Sequence, residues 1–204
     1  MDQLDKNSLK PVFDKMLSKE EKEWLLKQHS VMIWLTGLSG SGKSTIAIAL
    51  EKELHSRGLL CCMLDGDNIR SGINKNLDFT TDDRIENIRR IAEVAKLFMN
   101  IGVITIAAFI SPEIVMRELA ASIVGKDDFL EIYISTPLEV CEKRDVKGLY
   151  SKARKGKIDD FTGITAPYEP PLNPDLTIDT SDITVEEAVG RLLELVLPKI
   201  DTRR

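Results

Sequence analysis

The nine residues GLSGSGKST, which occupy positions 37–45, constrain the fold of this chain more than any other stretch. They contain the spacing Gly37-x4-Gly42-Lys43-Ser44, follow the apolar run VMIWLT and precede an amphipathic segment. In this P-loop pattern the glycines allow a tight turn whose backbone N–H groups converge on nucleotide phosphates, and the next helix adds its positive N-terminal end. The stretch therefore predicts a strand, a phosphate-binding turn and a helix, with a glycine-rich turn that binds nothing as the alternative.

Individual residues of this P-loop motif are expected to bind different parts of the nucleotide and its metal ion. Lys43 is expected to reach the β- and γ-phosphates of a nucleotide, and the hydroxyl of Ser44 is expected to bind Mg²⁺. The candidate ATP-binding residues are Gly37, Leu38, Ser39, Gly40, Ser41, Gly42, Lys43, Ser44 and Thr45.

Apolar runs alternate with amphipathic segments along the rest of the chain. Short runs such as LLCCML suit buried strands, whereas the apolar residues after position 82 recur at helical spacing. This alternation predicts an α/β fold in which a parallel β-sheet is flanked by helices on both faces. The predicted strands are 31–36, 59–64, 103–109, 130–135 and 176–180, and the predicted helices are 45–56, 82–100, one opened by Pro112, one started by Pro137 and one capped by Thr184.

The N-terminal residues 1–29 form a polar segment that precedes this pattern. Ser18-Lys19-Glu20-Glu21 is a capping-box sequence, and EEKEWLLKQ behind it predicts a short helix. We expect an N-terminal, partly helical arm over 1–29 and a single P-loop domain over 30–200. The arm could cover the domain or contact a second subunit, and the sequence leaves both open.

Polar residues follow the predicted strands, where ligands bind in parallel sheets. Asp65 and Asp67 follow the second strand and are candidates for carboxylates near the metal and the reacting phosphoryl group, with an Asp-Gly turn as the alternative. Basic residues crowd behind the fourth strand, where we expect a basic lid over about 144–172. The alternative for these side chains is a solvated helix face. They are Lys143, Arg144, Lys147, Lys152, Arg154, Lys155 and Lys157.

A candidate acceptor site lies around the long helix predicted over 82–100. Arginine offers a planar fork that suits phosphate or sulfate oxygens. Phe79 and Phe161 lie in polar stretches and are candidate stacking surfaces for a base, although local hydrophobic packing is the alternative. This set favours an acceptor that is itself an anionic nucleotide. Its members are Asp67, Asn68, Ile69, Arg70, Phe79, Arg84, Asn87 and Phe161.

Composition excludes several other classes of protein. The net charge of −5 argues against broad nucleic-acid binding, which usually requires a strongly basic surface. The sequence NKNLD is one residue too long for the guanine-reading motif of a GTPase. Cys61, Cys62 and Cys141 have no metal-ligand spacing and are expected to be buried small hydrophobes. No apolar leader or bilayer-length run is seen, so a cytoplasmic protein is expected.

Six stretches together resemble the adenylylsulfate kinases, or APS kinases: GLSGSGKST, LDGDNIR, DRIENIRRIAEVAKLF, FISP, TPLEVCEKRDVKGLY and KARKGKIDDFTGI. The resemblance runs from about residue 30 to about residue 195. It implies transfer of the γ-phosphoryl group of ATP, with Mg²⁺, to the 3′-hydroxyl of adenosine 5′-phosphosulfate in sulfate assimilation. It also implies a homodimer, and a chain without a fused sulfurylase is expected.

The same resemblance assigns roles to individual residues. Catalytic candidates are Lys43, Asp65, Asp67 and Ser111, with Ser44 and Asp65 near the metal and Asp67 activating the acceptor hydroxyl. The serine at the position of Ser111 is often assigned as a phosphoserine intermediate in this family, but its hydroxyl could equally bind substrate. Direct in-line transfer is preferred here because a serine without a neighbouring activating base is a weak nucleophile. Ser71 and the segment 113–115 depart from the family pattern at the pocket rim. The adenylyl-sulfate residues would be Asp67, Asn68, Ile69, Arg70, Phe79, Arg84, Asn87, Ile110, Ser111, Lys147 and Phe161.

Two other functions stay open at this point. The first is another small P-loop kinase that acts on a nucleoside, gluconate or shikimate. The second is a regulatory module that binds nucleotide but has lost the activity, although Lys43, Ser44, Asp65 and Asp67 are all present.

Overall fold

A computed structural model describes residue 12 and residues 15–201, and its centre is a parallel sheet. Five strands pair in the order β2-β3-β1-β4-β5. All four pairings are parallel, and Ile33 in the central strand lies opposite Ile106 on one side and Leu130 on the other. The strands are β1 (Met32–Thr36), β2 (Cys61–Asp65), β3 (Ile104–Ala108), β4 (Phe129–Ile134) and β5 (Leu176–Ile178).

Helices cover both faces of this sheet, so the predicted α/β class is confirmed. The helices are α1 (Lys19–Leu26), α2 (Lys43–Ser56), α3 (Gly66–Ser71), α4 (Thr81–Met99), α5 (Ile114–Val124), α6 (Leu138–Arg144), α7 (Leu149–Arg154) and α8 (Val185–Ile200), with a short 3₁₀ turn at Lys126–Asp128.

Side-chain alternation along the central strand explains why two separate cores form. Ile33 and Leu35 join a cluster with α2 and α8, whereas Met32 and Trp34 join a cluster with α4 and α5. Successive side chains of a strand point to opposite faces, so a strand that is covered on both sides must be apolar throughout. All five residues of β1 are buried.

Helix α1 is attached to the domain by a buried carboxylate. Glu23 accepts hydrogen bonds from the backbone N–H and the hydroxyl of Ser30 at 2.7 Å each, and it contacts His29 Nδ1 at 2.7 Å. The capping box predicted at Ser18 is present, with Glu21 as its partner. Helix α1 is therefore held against the domain through a polar anchor.

Three expectations about local structure were wrong. Strand β2 lies at the edge of the sheet, so only Leu64 in it is buried, and Cys61 and Cys62 are half-exposed. Pro112 does not occupy the first turn of α5, because that helix begins at Ile114. The backbone N–H of Glu169 donates to the carbonyl of Pro112, which holds this residue in a loop ahead of the helix.

In the part of the chain that the structure describes, no helix combines the length and the apolar character that crossing a bilayer requires.

Candidate active site

A large cavity lies at the carboxyl ends of the strands. Its volume is about 870 Å³, and it extends from the P-loop to the N-terminal half of α4. This location is expected, because the loops that follow parallel strands converge at one edge of the sheet. The predicted site residues that line it are Ser39, Gly40, Gly42, Lys43, Ser44, Thr45, Asp65, Asp67, Arg70, Phe79, Arg84, Asn87, Ile110, Ser111, Lys147 and Phe161.

The backbone of the P-loop leaves no room for larger residues. A Cβ at Gly37 would lie 2.4 Å from the carbonyl oxygen of Ile134, so only glycine fits beside β4. Gly42 caps α2 with a positive φ of 101° and offers no side-chain acceptor. The first N–H groups of a helix have no intrahelical partner, so those of α2 are available to an anion.

Lys43 is a buried ammonium group at the start of α2. Its Nζ donates to the carbonyl oxygens of Gly37 at 2.9 Å and Leu38 at 2.7 Å. Burial lowers the pKa of Lys43 to about 8. A phosphate next to this group would favour its charged form, because an opposite charge offsets the cost of desolvation.

Ser44 and Asp65 meet at the point where the motif predicts a metal. The hydroxyl of Ser44 donates to Asp65 Oδ2 at 2.7 Å, and Asp65 Oδ1 accepts the backbone N–H of Asp67 at 3.0 Å. Within residues 15–201, no group of three or more His, Cys, Asp or Glu side chains could hold a metal ion. The hydroxyl and carboxylate fit Mg²⁺ only if phosphate oxygens and water complete its shell, as is usual in kinase sites.

Asp67 and Lys147 form an ion pair across the cavity. Asp67 belongs to the first turn of α3, and Lys147 lies in the segment between α6 and α7. Both side chains are largely exposed, so this pair contributes little to stability. The ion pair instead fixes the position of the predicted base, Asp67, relative to Lys147 in the predicted lid.

Arginines and aromatic rings meet on the acceptor side. The guanidinium of Arg70 lies 4.4 Å from the centre of the Phe79 ring, which is 61% exposed. Arg84 donates to the carbonyl oxygens of Phe79 at 2.8 Å and Asp160 at 2.6 Å. Phe161 packs edge-on against Tyr150, with 5.0 Å between the ring centres. The two candidate stacking rings thus border one cavity although 82 positions separate 79 from 161.

Ser111 has a left-handed backbone with φ of 38° and a buried side chain. Its hydroxyl accepts from Trp34 Nε1 and donates to the hydroxyl of Thr36, both at 3.0 Å. The hydroxyl of Thr36 also donates to the carbonyl of Ile110 at 2.7 Å and contacts that of Tyr168 at 2.9 Å. The proton of Ser111 is therefore directed into the protein.

Some predicted residues lie outside the cavity lining, and some lining residues were missed. Gly37, Leu38, Ser41, Asn68 and Ile69 do not line the cavity. The sequence contained a signal for Thr180, because this residue follows β5 and therefore also lies at the carboxyl edge of the sheet. Arg144, Tyr150 and Thr162 were expected only as part of the lid, and the lining residues that were missed include Thr180, Ile183, Thr184 and Val185.

A missed contact joins the predicted lid to the P-loop. Arg144 donates to the carbonyl oxygen of Thr180 at 2.6 Å and to its hydroxyl at 2.8 Å. The hydroxyl of Thr180 in turn donates to the carbonyl of Ser41 at 2.9 Å. The loop after β5 therefore closes one side of the nucleotide end of the cavity.

This fold and this site define the class of P-loop kinases. A phosphate cradle, a hydroxyl–carboxylate pair and a second basic, aromatic half-site share one cavity at the carboxyl edge of a parallel sheet. A family model described as adenylylsulphate kinase matches residues 29–179. The chain belongs to the adenylylsulfate kinase family.

Individual relatives agree with this assignment. An adenylyl-sulfate kinase of Bacteroides thetaiotaomicron is 69% identical over 199 residues, which cover 98% of this chain and 99% of the relative. An adenylyl-sulfate kinase of Clostridium kluyveri is 52% identical over 91% of this chain and 92% of its own length. Among solved structures, the Mycobacterium tuberculosis APS kinase CysC in complex with AMPPNP and APS has a TM-score of 0.80 and 43% identity, covering 82% of this chain and 98% of that one.

Proposed function

We propose that this chain is an adenylyl-sulfate kinase, which transfers the γ-phosphoryl group of ATP to the 3′-hydroxyl of adenosine 5′-phosphosulfate. The products are ADP and 3′-phosphoadenylyl sulfate. The observation that carries the proposal is the continuity of the cavity from the P-loop to the arginine-rich, aromatic side, with Asp65 and Asp67 between the two ends. An adenylyl-sulfate kinase that is 69% identical over 98% of this chain supports it, as does a similar kinase in complex with AMPPNP, an ATP analogue, and APS.

The P-loop end holds the donor nucleotide. The free N–H groups at the start of α2 bind the phosphate oxygens, and the ammonium of Lys43 neutralises charge on the β- and γ-phosphates. Ser44 and Asp65 would hold Mg²⁺, which supplies charge neutralisation on the phosphates when it is bound. Lys43 then exchanges its two carbonyl contacts for phosphate oxygens.

The opposite end holds adenylyl sulfate. Arg70 and Arg84 present guanidinium groups to its phosphate and sulfate oxygens, and Phe79 and Phe161 stack on its adenine. Asn87, Ile110 and Lys147 complete the pocket. Asn68 and Ile69 belong to this set through their motif alone, since neither lines the cavity.

The chemical step uses Asp67 as the base. A carboxylate oxygen of Asp67 takes the proton from the 3′-hydroxyl, and the 3′-oxygen forms a bond to the γ-phosphorus. The bond between that phosphorus and the β–γ bridging oxygen breaks, and ADP leaves with the electron pair. Lys147, which pairs with Asp67, releases the carboxylate and stabilises charge on the transferring group.

Three broader properties form part of the proposal. Residues 15–29 act as an arm, residues 30–200 as the catalytic domain, and the segment over about 144–172 as a lid that excludes water. The three cysteines are free, which supports a reducing cytoplasm. Large exposed apolar side chains on α1 support a homodimer.

A coupled assay of ADP release tests the function. We expect release that requires both adenosine 5′-phosphosulfate and ATP, with the 3′-phosphorylated product identified by mass spectrometry. Gluconate, shikimate and a nucleoside serve as competing acceptors. Preferred phosphorylation of any of these, or ATP binding without acceptor-dependent turnover, would overturn the proposal.

A further inference from the structure

Asn74 is a fully buried amide in the turn between α3 and α4, outside the cavity. Its Nδ2 donates to Asn87 Oδ1 at 2.9 Å and to the backbone carbonyl of Asn87 at 3.5 Å. Asn87 is itself only 5% exposed, and it is one of the residues that line the cavity. One buried amide thus supports another that borders the acceptor site.

The groups on either side of the Asn74 amide determine which way its oxygen and its NH₂ group point. Arg90 Nη1 approaches Asn74 Oδ1 at 3.5 Å, and a guanidinium group can only donate. The backbone carbonyl of Asn87 can only accept, so the NH₂ group of Asn74 must face Asn87. Arg90 is held in place by Glu86 Oε1 at 2.7 Å and Asn76 Oδ1 at 2.9 Å.

The orientation of Asn87 follows from that of Asn74. Because Asn87 Oδ1 accepts the Asn74 donor, the NH₂ group of Asn87 is the half of the amide that is left for the cavity. We propose that Asn74 is a positioning residue, which locks Asn87 as a hydrogen-bond donor toward the acceptor substrate and selects substrates with an acceptor atom there. The inference rests on the proposed function, since the pocket must hold adenylyl sulfate.

This donor has a clear chemical match in adenylyl sulfate. Its phosphate and sulfate oxygens and the unsubstituted ring nitrogens of its adenine accept a hydrogen bond and cannot donate one, whereas its amino group and ribose hydroxyls can donate. An Asn87 amide rotated by half a turn would present oxygen to the accepting atoms and repel them. Loss of a hydrogen bond to a charged group, with both partners left buried, weakens binding by about 10- to 100-fold.

An isosteric substitution tests the inference. In Asn74→Asp the carboxylate can only accept, so Asn87 must turn its NH₂ group inward and its oxygen toward the cavity. We expect KM for adenylyl sulfate to rise about 10- to 100-fold, with much smaller changes in KM for ATP and in kcat. Asn76→Asp is the matched control, because it adds the same charge beside Arg90 at an exposed position that does not touch Asn87.

Two further variants separate orientation from simple packing. Asn74→Ser places a hydroxyl that can donate or accept, so KM for adenylyl sulfate should rise less than in Asn74→Asp. In a double-mutant cycle, Asn87→Ala should remove most of the effect of either change at position 74, because the oriented amide is then absent. The cycle with Asn74→Ser decides the matter if Asn74→Asp does not fold.

The inference is overturned if Asn74→Asp behaves like Asn76→Asp, if Asn74→Ser has the larger effect, or if the cycle is additive. Equal changes in both KM values would also overturn it, since they would indicate a general loss of structure. A failure of the proposed function is distinguishable, because the unmodified protein would then show no turnover with adenylyl sulfate.

Discussion

Among single residues, Asp67 is the proposed base, and its side chain forms an ion pair with Lys147. This ion pair directs the carboxylate across the cavity. Asp67→Asn retains the shape but removes the base, so we expect kcat to fall by about 10²- to 10⁴-fold. KM for ATP should change little, because the P-loop is untouched. Steady-state kinetics measure this, with the exposed Asp127→Asn as a control that keeps full activity.

Ser111 distinguishes direct transfer from a mechanism with a phosphoserine intermediate, because its hydroxyl already forms hydrogen bonds with Thr36 and Trp34. In direct transfer, Ser111→Ala should retain activity within about tenfold, while losing about 1–3 kcal/mol of stability because buried Trp34 Nε1 loses its acceptor. Incubation with γ-labelled ATP, without acceptor, should leave the unmodified protein unlabelled. Labelled Ser111, or a variant without activity, would instead indicate a phosphoserine intermediate.

The site residues that sequence reasoning missed share a physical cause. Motif spacing places the P-loop, Asp65 and Asp67, because each of them lies at the end of a strand or within a few residues after it. It cannot place Arg144 on Thr180, since that contact depends on how α6 packs beside the loop after β5. The support of Asn87 by Asn74 likewise depends on a turn whose path periodicity does not specify.

Among the structural elements, α5 carries one arginine that joins three segments of chain. Arg117 is buried and donates to Glu131 Oε1 at 2.7 Å, to the carbonyl of Ser111 at 2.6 Å and to that of Glu169 at 2.7 Å. Strand β4, the loop after β3 and the segment before β5 therefore meet at one guanidinium group. Burial raises the pKa of Glu131, although Arg117 opposes this rise.

Removal of this guanidinium should destabilise the fold strongly. We expect Arg117→Met to lower the free energy of unfolding by about 2–4 kcal/mol, because Glu131 and two carbonyls lose their donor. Without Arg117 the pKa of folded Glu131 should lie further above its unfolded value, so the loss should be larger at neutral than at mildly acidic pH. Denaturant unfolding at both pH values measures this.

A double variant checks that the charge is responsible. Arg117→Met combined with Glu131→Gln should be more stable than Arg117→Met alone, because no buried charge is left unpaired. If the double variant were less stable than the single one at both pH values, packing rather than charge would explain the role of Arg117.

The elements themselves were predictable where a long periodic pattern existed. Helix α4 was predicted over 82–100 and spans Thr81–Met99, because its apolar stripe covers five turns. Strand β2 was predicted as buried, yet it lies at the sheet edge. An apolar run indicates a strand but does not reveal its place in the strand order, since that order depends on contacts between distant segments.

At the scale of the whole molecule, α1 has two faces with opposite roles. Glu23 and Leu26 face the domain; a Cβ at Gly102 would lie 2.9 Å from Leu26 Cδ1. Trp24 and Leu25 point outward and are 82% and 73% exposed. Aromatic side chains bury 150–250 Å² each and dominate interface energetics, so an outward Trp beside a Leu favours contact with another protein surface.

In the proposed homodimer, a second copy of this chain covers the outward face of α1. We expect the unmodified protein to sediment with twice the mass of one chain, and Trp24→Ser to shift it toward the single chain, because burial of the indole supplies much of the association energy. Leu172→Ser is the matched control: Leu172 is 80% exposed but lies at the C-terminal end of the proposed lid, before β5, rather than on α1. Thermal midpoints should stay similar, since Trp24 packs little within its own chain. A single-chain mass for the unmodified protein would show that no dimer forms. A dimer that persists in Trp24→Ser but not in Leu172→Ser would place the interface elsewhere. In either case the role of α1 would be confined to covering the domain.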